Sequence, residues 1–166
     1  QDNGLKLINA EGDKFSDEAT AQIEEAIAAG KFDLNPEEIG TSEVVPDAVA
    51  GYVDCVLKAA EGTAPLSGLR VVLDCANGVF SKILPEVFKS LGAGIIVIGN
   101  EPNGKNINLD CGSQHTAKMI ETVKNAHAQL GIAVDGDGDR IIVCDELGNR
   151  LDGDQIIAFM GKCLKE

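Results

Sequence analysis

Apolar residues recur along the chain at two spacings, one typical of helices and one typical of buried strands. From Pro46 onward they fall at i, i+3, i+4 and i+7, which predicts an amphipathic helix. An earlier helix is predicted over Asp17–Ala29, where Ser16 stands at the N-cap position and Gly30 follows the end. Ahead of that helix, Leu5–Ile8 is predicted to form a short strand.

Beyond residue 68 the pattern changes to short apolar runs that alternate with helical stripes. The runs predict four strands, over Leu69–Leu73, Ile95–Ile98, Leu130–Val134 and Arg140–Cys144. The stripes predict three helices: one that starts regularly only just before Pro85, one that starts near Thr116, and one over Asp154–Leu164. This alternation predicts an α/β fold, a mostly parallel sheet in three α/β/α layers. The last two strands are too close for a crossover and are expected to form an antiparallel hairpin.

Composition narrows the possible partners of the chain. Its 166 residues are 44% apolar and 25% charged, with a formal net charge of -13. Nucleic-acid binding depends on clustered Lys and Arg, so we expect no nucleic-acid partner. No apolar run approaches the roughly 20 residues of a membrane helix, so we expect no membrane partner. The five cysteines form no C-x-x-C pair, which favours buried thiols and a reducing, cytoplasmic location.

The segment "GIAVDGDGDR" holds the candidate chemistry. Asp135, Asp137 and Asp139 follow an apolar strand and precede Arg140, with glycines between them. Three carboxylates this close repel one another unless a cation lies among them. Oxygen ligands without Cys or His suit Mg²⁺ or Ca²⁺ rather than zinc, and the glycines let the backbone turn all three acids toward one point. The segment therefore predicts a divalent metal site at the tip of the hairpin.

Three other interpretations of this segment stay open. A calcium-binding EF-hand would use the three aspartates and Glu146, but Arg140 stands where that loop needs a glycine, and the flanks are predicted strands. An aspartate-nucleophile phosphatase would use Asp135 to attack phosphorus and Asp137 as acid–base, but it usually has Thr or Val shortly after the second aspartate. An ordinary solvated acidic turn is the third.

The whole run "DGDGDR" after "GIAV" resembles the metal loop of the α-D-phosphohexomutase superfamily. The resemblance implies that Asp135, Asp137 and Asp139 each give Mg²⁺ a carboxylate oxygen, that a serine-borne phosphate takes a further position, and that Arg140 faces the phosphoryl group. The opening "DNGLK" resembles the segment after the phosphoserine loop of this superfamily. That likeness implies that Lys6 is the general acid–base and that the serine lies upstream.

Three more segments resemble the same superfamily: "VVLDCANGVF", "EPNGKNINLDCGSQH" and "LGNRLDGDQI". The second is more similar to the phosphoglucosamine mutase branch than to the phosphomannomutase/phosphoglucomutase branch. It implies a hexosamine phosphate substrate and interconversion of glucosamine-6-phosphate and glucosamine-1-phosphate by the parent protein. We expect His115 and the asparagines of this loop to hold the shape of the loop rather than reach the active site.

The resemblance covers essentially the whole chain and implies its domain organisation. Residues 1–62 are the C-terminal part of a first α/β domain, residues 63–152 a complete second, metal-binding domain, and residues 153–166 the first helix of a third. The remaining hexomutase domains, which carry the sugar-reading and phosphate-binding loops, are then the partners of this chain. We expect the chain alone to be inactive as a mutase. A non-catalytic regulatory or scaffold module of the same fold is the alternative.

Overall fold

The computed structural model of the protein describes residues 6–30, 41–60 and 65–165. The chain forms two compact units, which divide between Val44 and Val45. Among the described residues, the first unit contains one helix, and the second contains a sheet with four helices. No helix in these described ranges combines the length and the apolar composition that crossing a bilayer requires.

Helix α1 (Asp17–Ala29) of the first unit begins and ends where the sequence predicts. The hydroxyl oxygen of Ser16 accepts the N–H of Ala19 at 3.2 Å and so satisfies one of the open donors of the first turn. At the other end Gly30 takes the left-handed φ of 62° that terminates the helix. The local capping signals therefore fix both ends of α1.

The strand predicted over Leu5–Ile8 is wrong for its described residues, and the first residue of that range lies outside them. Ile8 forms only a single antiparallel bridge, to Lys14. The reason is the turn that follows at once, where Oδ1 of Asn9 accepts the backbone N–H of Asp13 at 2.9 Å. This turn reverses the chain before a ladder can extend.

The second unit is built on a five-stranded sheet in the order β2–β1–β3–β4–β5. The strands are β1 (Arg70–Asp74), β2 (Gly94–Ile98), β3 (Leu130–Val134), β4 (Ile141–Asp145) and β5 (Arg150–Leu151). The central strand β1 runs parallel to β2 and β3, and β3 and β4 form the predicted antiparallel hairpin. The additional strand β5 was not predicted, because its two residues lie in a segment whose composition indicates only a turn.

Helices cover both faces of this sheet. Helices α3 (Phe80–Ser90) and α4 (Ala117–Ala126) pack against the sheet, and α2 (Ala48–Ala59) packs against α3. The unit also contains α5 (Gly153–Cys163). On one face Val72 of β1 packs in a buried cluster with Met119 and Val123 of α4. On the other face Leu73 packs with Phe88 and its neighbours on α3. The middle residues of β1, Val71 to Leu73, are apolar and buried because the strand is covered on both sides, and the predicted three-layer α/β/α architecture is confirmed.

Helix α3 corrects the prediction of its start, because it begins at Phe80 and continues through Pro85. A proline in a helix removes the N–H that would bond four residues back, here to Ser81. That single loss is tolerated because Val87 and Phe88, further along the same helix, pack against the sheet. Tertiary packing therefore outweighs the local preference of proline.

Helix α2 begins at Ala48, two residues later than the prediction from Pro46. The cause is Asp47, whose left-handed φ of 64° is incompatible with a helical turn. Helix α5 begins one residue earlier than predicted. Its start is a capping box, in which the side chain of Asp152 accepts the N–H of Gln155 and the side chain of Gln155 accepts the N–H of Asp152, both at 2.9 Å.

Candidate metal centre

Three carboxylates converge where β3 ends. Asp135 is the first residue after β3, and the loop 135–140 also carries Asp137 and Asp139 before the chain enters β4. One carboxylate oxygen of each acid lies within 4.8 Å of the others. Asp135 is buried, whereas the other two are exposed. The donor set consists of hard oxygen atoms at one point open to solvent, so it fits Mg²⁺ or a similar divalent cation. That these acids are metal ligands stays a prediction.

The secondary structure around the loop rules out one alternative. Val134 pairs with Ile141 in an antiparallel ladder, so the loop joins two strands. An EF-hand loop joins two helices. The interpretation as a calcium-binding EF-hand module is therefore wrong.

The two glycines of the loop are required by close contacts as well as by the turn. Gly138 has a φ of 75°, a conformation that side chains other than glycine rarely adopt, and a Cβ atom there would overlap the ring of Phe80. At Gly136 a Cβ atom would lie 2.5 Å from the Cδ1 atom of Ile107. A larger residue at either position would force the loop away from its neighbours.

Arg140 places a positive charge beside Asp135 and Asp139 even without a metal ion. Its backbone N–H donates to Oδ1 of Asp135 at 3.1 Å, and its Nε donates to Oδ2 at 2.9 Å. Its second guanidinium nitrogen lies 2.7 Å from the same Oδ2 atom, and its Nε lies 3.4 Å from Asp139. Because Oδ1 accepts one hydrogen bond here, it retains a lone pair for a cation.

These contacts set the charge of the buried acid. Burial raises the pKa of Asp135, but the hydrogen bonds and positive charge of Arg140 lower it by more, so the net pKa lies below its ordinary value. The negative charge of Asp135 in turn raises the pKa of Arg140. Asp135 is therefore ionised at neutral pH, as a metal ligand must be.

Two further loops meet the aspartate loop at the same edge of the sheet. The loop 75–79 follows β1, and its Val79 N–H donates to the carbonyl oxygen of Gly136 at 3.0 Å. The long loop 99–116 follows β2, and its Ser113 N–H donates to the carbonyl oxygen of Val134 at 3.0 Å. Ligands of α/β sheets bind at this edge, beyond the carboxyl ends of the strands. The three loops together form the candidate site.

Comparison with known proteins agrees with this geometry. The sequence profile described as phosphoglucomutase/phosphomannomutase, alpha/beta/alpha domain II, matches residues 50–148. The chain belongs to this family. The match includes all three loops of the candidate site and therefore places them in the domain that the profile describes.

Relatives and solved structures of this family match nearly the whole chain. A phosphoglucosamine mutase of Pelobacter propionicus is 45% identical over 162 residues, which are 96% of this chain and 36% of that protein. A phosphoglucosamine mutase of Geotalea uraniireducens is 47% identical over the same shares of both chains. A phosphoglucomutase/phosphomannomutase family protein of Burkholderia thailandensis shares the fold, with a TM-score of 0.67, 24% identity, and coverage of 91% of this chain and 32% of the other. The chain thus spans about a third of the length of these relatives.

The two predicted catalytic residues, Arg140 and Lys6, lie in different units. Arg140 belongs to the second unit and touches Asp135 and Asp139. Lys6 is an exposed residue of the first unit. Its role as general acid–base rests on the resemblance alone and stays a prediction.

Asn77 was not predicted as a site residue, yet it links two of the site loops. Its Oδ1 accepts the N–H of Glu101 at 3.0 Å, and its Nδ2 donates to the carbonyl oxygen of Asn106 at 3.3 Å and to Sγ of Cys111 at 3.5 Å. Asn77 also has a left-handed φ of 50°, which asparagine tolerates better than most residues. The available signal was an Asn-Gly pair shortly after β1, beyond Cys75 and Ala76, since such a pair predicts a tight turn.

A cavity of about 610 Å³ lies beside the loop 99–116 and is lined by Asn77, Glu101, Asn106 and Lys118, among others. None of the three converging aspartates lines it. Asn106 holds the loop itself, since its Nδ2 donates to the carbonyl oxygen of Glu101 at 2.9 Å. This bond supports the expectation that the loop asparagines maintain loop shape. His115 lines a neighbouring cavity of about 460 Å³.

Proposed function

We propose that this chain is the metal-binding part of a Mg²⁺-dependent phosphosugar mutase, which interconverts glucosamine-6-phosphate and glucosamine-1-phosphate through a phosphoserine and a bisphosphate intermediate. One observation carries the proposal: three carboxylates converge within 4.8 Å at the end of a buried strand. The substrate class follows from proteins named phosphoglucosamine mutase that are 45% and 47% identical to this chain. A phosphomannomutase or phosphoglucomutase is the second candidate, favoured by the description of the family.

In this proposal Asp135, Asp137 and Asp139 would hold the Mg²⁺ ion. Its positive charge would offset the negative charge of a phosphoryl group. Arg140 keeps Asp135 ionised, and its side chain is 59% exposed, so it is also accessible to an anionic substrate. Lys6, in its neutral form, would take the proton of the sugar hydroxyl that receives the phosphoryl group. Such proton transfer contributes about 10²–10⁴-fold to a rate.

The proposal includes the domain organisation, with residues 1–62 from a first domain, 63–152 as the second and 153–166 as the start of a third. The profile match to residues 50–148 supports the central assignment. Helix α5 supports the last, because its apolar residues Ile157, Phe159 and Met160 are more than half exposed and suit packing against a further domain.

We expect the 166-residue chain alone to have no mutase activity, because it spans only 36% of the length of its relatives. A cytoplasmic location belongs to the same proposal. All five cysteines are free thiols, which suits a reducing compartment.

Calorimetry with Mg²⁺ tests the metal step on this chain. We expect the unchanged chain to bind Mg²⁺ and Asp137→Asn to bind at least about tenfold more weakly, since the variant loses one charged ligand. Asp110→Asn is the matched control, because it removes one exposed carboxylate of the neighbouring loop, outside the converging cluster. Equal binding by Asp137→Asn and the unchanged chain would contradict the proposal.

The full-length protein separates the remaining candidates. A glucosamine phosphate mutase turns over glucosamine-6-phosphate faster than mannose or glucose phosphates, and the second candidate reverses that order. An aspartate-nucleophile phosphatase would release phosphate from an aryl phosphate and lose this activity in Asp135→Asn. A regulatory or scaffold module would show no turnover of any of them.

A further inference from the structure

Asp74 is fully buried at the carboxyl end of β1 and lies outside the converging cluster. Its Oδ1 accepts the N–H of Ala76 at 3.0 Å, and its Oδ2 accepts the N–H of Gly112 at 2.9 Å. Within the described ranges no lysine or arginine forms an ion pair with it. A carboxyl group buried without a cation depends on such hydrogen bonds. Asp74 therefore links the end of β1 firmly to the loop 99–116.

The bond to Gly112 fixes the segment that covers the end of β3. The adjacent Ser113 N–H donates to the carbonyl oxygen of Val134 at 3.0 Å. Gly112 approaches the same oxygen so closely that a Cβ atom on it would lie only 2.7 Å away. Val134 directly precedes Asp135, the buried acid of the cluster. The segment held by Asp74 thus bonds directly to the residue before the first candidate ligand.

The side chain of Ser113 does not provide an alternative attachment. Its hydroxyl is buried and has no hydrogen-bond partner among the described residues. The N–H of Ser113 bonds the segment to β3, and the N–H of the adjacent Gly112 bonds it to Asp74 at the end of β1.

The position of this segment matters because the three carboxylates repel one another. A loop that is free to relax would separate them, whereas Mg²⁺ requires ligands near octahedral positions at about 2.0–2.1 Å. We propose that Asp74 is a positioning residue for the metal site: it holds Gly112 and Ser113 against Val134, and so keeps Asp135 where the carboxylates converge. This inference rests on the proposed metal-binding function.

Asp74→Asn in the 166-residue chain tests the proposal by Mn²⁺ titration followed by electron paramagnetic resonance. Asparagine offers one oxygen and one NH₂ group, so either Ala76 or Gly112 loses its acceptor. We expect about tenfold weaker Mn²⁺ binding, as for other partners outside the ligand shell, with the circular dichroism of the fold retained. Asp145→Asn is the matched control, because Asp145 also accepts two backbone N–H groups but lies at the other end of β4.

Two outcomes of this titration overturn different claims. Equal affinity of Asp74→Asn and the unchanged chain overturns the positioning role and leaves the proposed metal site intact. Failure of the unchanged chain to bind Mn²⁺ overturns the proposed metal site, and the positioning role with it. Weaker binding by Asp74→Asn with unchanged binding by Asp145→Asn supports both.

A measurement on the unchanged chain covers the case in which Asp74→Asn does not fold. If Asp74 favours metal binding through Gly112, metal binding must stabilise that bond by the same factor, because coupling is reciprocal. We expect saturating Mg²⁺ to slow hydrogen exchange of the Gly112 amide about tenfold relative to Leu147, whose amide bonds to Asp145. Equal slowing of both amides, or no slowing at Gly112, overturns the proposal.

Discussion

Strand β4 is flanked by two turns, each built around an aspartate, and they differ in what holds them. In the turn after β4, Asp145 accepts the backbone N–H groups of Leu147 at 3.0 Å and Asn149 at 2.8 Å. The side-chain amide of Asn149 donates a third hydrogen bond to Asp145, also at 2.8 Å. All these partners lie within four residues of the aspartate, so the side-chain hydrogen bonds of Asp145 are all made within the turn.

The loop before β4 contains similar local bonds, from Arg140 to Asp135, but it also depends on distant segments. Gly136 is bonded by Val79 of one loop and covered by Ile107 of another. A turn that only reverses the chain needs no outside support. A loop that must hold three repelling carboxylates together needs supporting contacts from other segments. The loops that follow β1 and β2 provide these contacts.

A substitution at Gly78, where the loop after β1 lies against the aspartate loop, should have the largest effect on stability and metal binding. At Gly78 a Cβ atom would overlap the backbone of Gly136, which cannot turn aside as the end of a flexible side chain can. We expect Gly78→Ala to lower the free energy of unfolding by about 3 kcal/mol, and to weaken Mg²⁺ binding as well. Urea denaturation and calorimetry measure the two effects.

Gly148→Ala in the self-contained turn is the control for this substitution. Its Cβ atom would meet the flexible end of Lys124 and a methyl group of Ile120, and its φ is 81°. We expect it to lose about 1 kcal/mol through backbone strain and to keep its Mg²⁺ affinity. If both variants kept full metal affinity, metal binding by the aspartate loop would not depend on its contact with Gly78.

Removing the cation from the aspartate loop should have the next largest effect. Arg140→Gln leaves Asp135, which is 2% exposed, without its ion pair. We expect the variant to be less stable than the unchanged chain without metal, but by less than the loss of a fully buried pair would cause, because the Arg140 side chain is 59% exposed. Mg²⁺ supplies a replacement positive charge, so it should stabilise this variant more than the unchanged chain.

Denaturant titration with and without Mg²⁺ checks this expectation. Arg150→Gln at the other end of β4 is the control, because the structure shows no ion pair between Arg150 and any described residue. A Mg²⁺ effect of the same size in Arg140→Gln and in the unchanged chain would show that the arginine does not compensate the acids.

The same difference explains which parts of the molecule could be predicted from sequence. Strand β3 was predicted residue for residue because five apolar residues are followed by an unmistakable turn. The convergence of the three aspartates could be predicted because their spacing is local. Pro85 misled the prediction of α3 because packing against the sheet, which sequence periodicity does not reveal, outweighed a local preference.

The residues around the end of β1 that contact distant loops could not be predicted for a related reason. Asp74, Asn77 and Gly78 follow or end β1, and their partners lie on loops that only the tertiary fold brings near. The sequence shows an Asn-Gly turn there but not what the turn touches. Sequence therefore predicts the candidate ligands, which are close along the chain, better than the distant residues that contact their loop.

The smallest expected effect is confined to the self-contained turn. The side-chain hydrogen bond from Asn149 is the largest cause that holds the pKa of Asp145 below its ordinary value of 3.8. A carboxyl whose pKa is lowered by folding contributes stability above its ordinary pKa, and that contribution is lost as pH falls through the folded value. Asn149→Ala should therefore raise the pKa of Asp145 and make the loss of stability on acidification shallower.

Titration of the Asp145 carboxyl carbon by nuclear magnetic resonance measures this pKa directly. Asn103→Ala is the control, because its Oδ1 accepts a backbone N–H in the distant loop 99–116 and has no contact with Asp145. Since the turn draws its bonds from within four residues, Asn149→Ala should leave Mg²⁺ affinity unchanged. A change in that affinity would mean that β4 transmits strain between its two ends. The aspartate loop would then depend on more than its contacts with the loops 75–79 and 99–116.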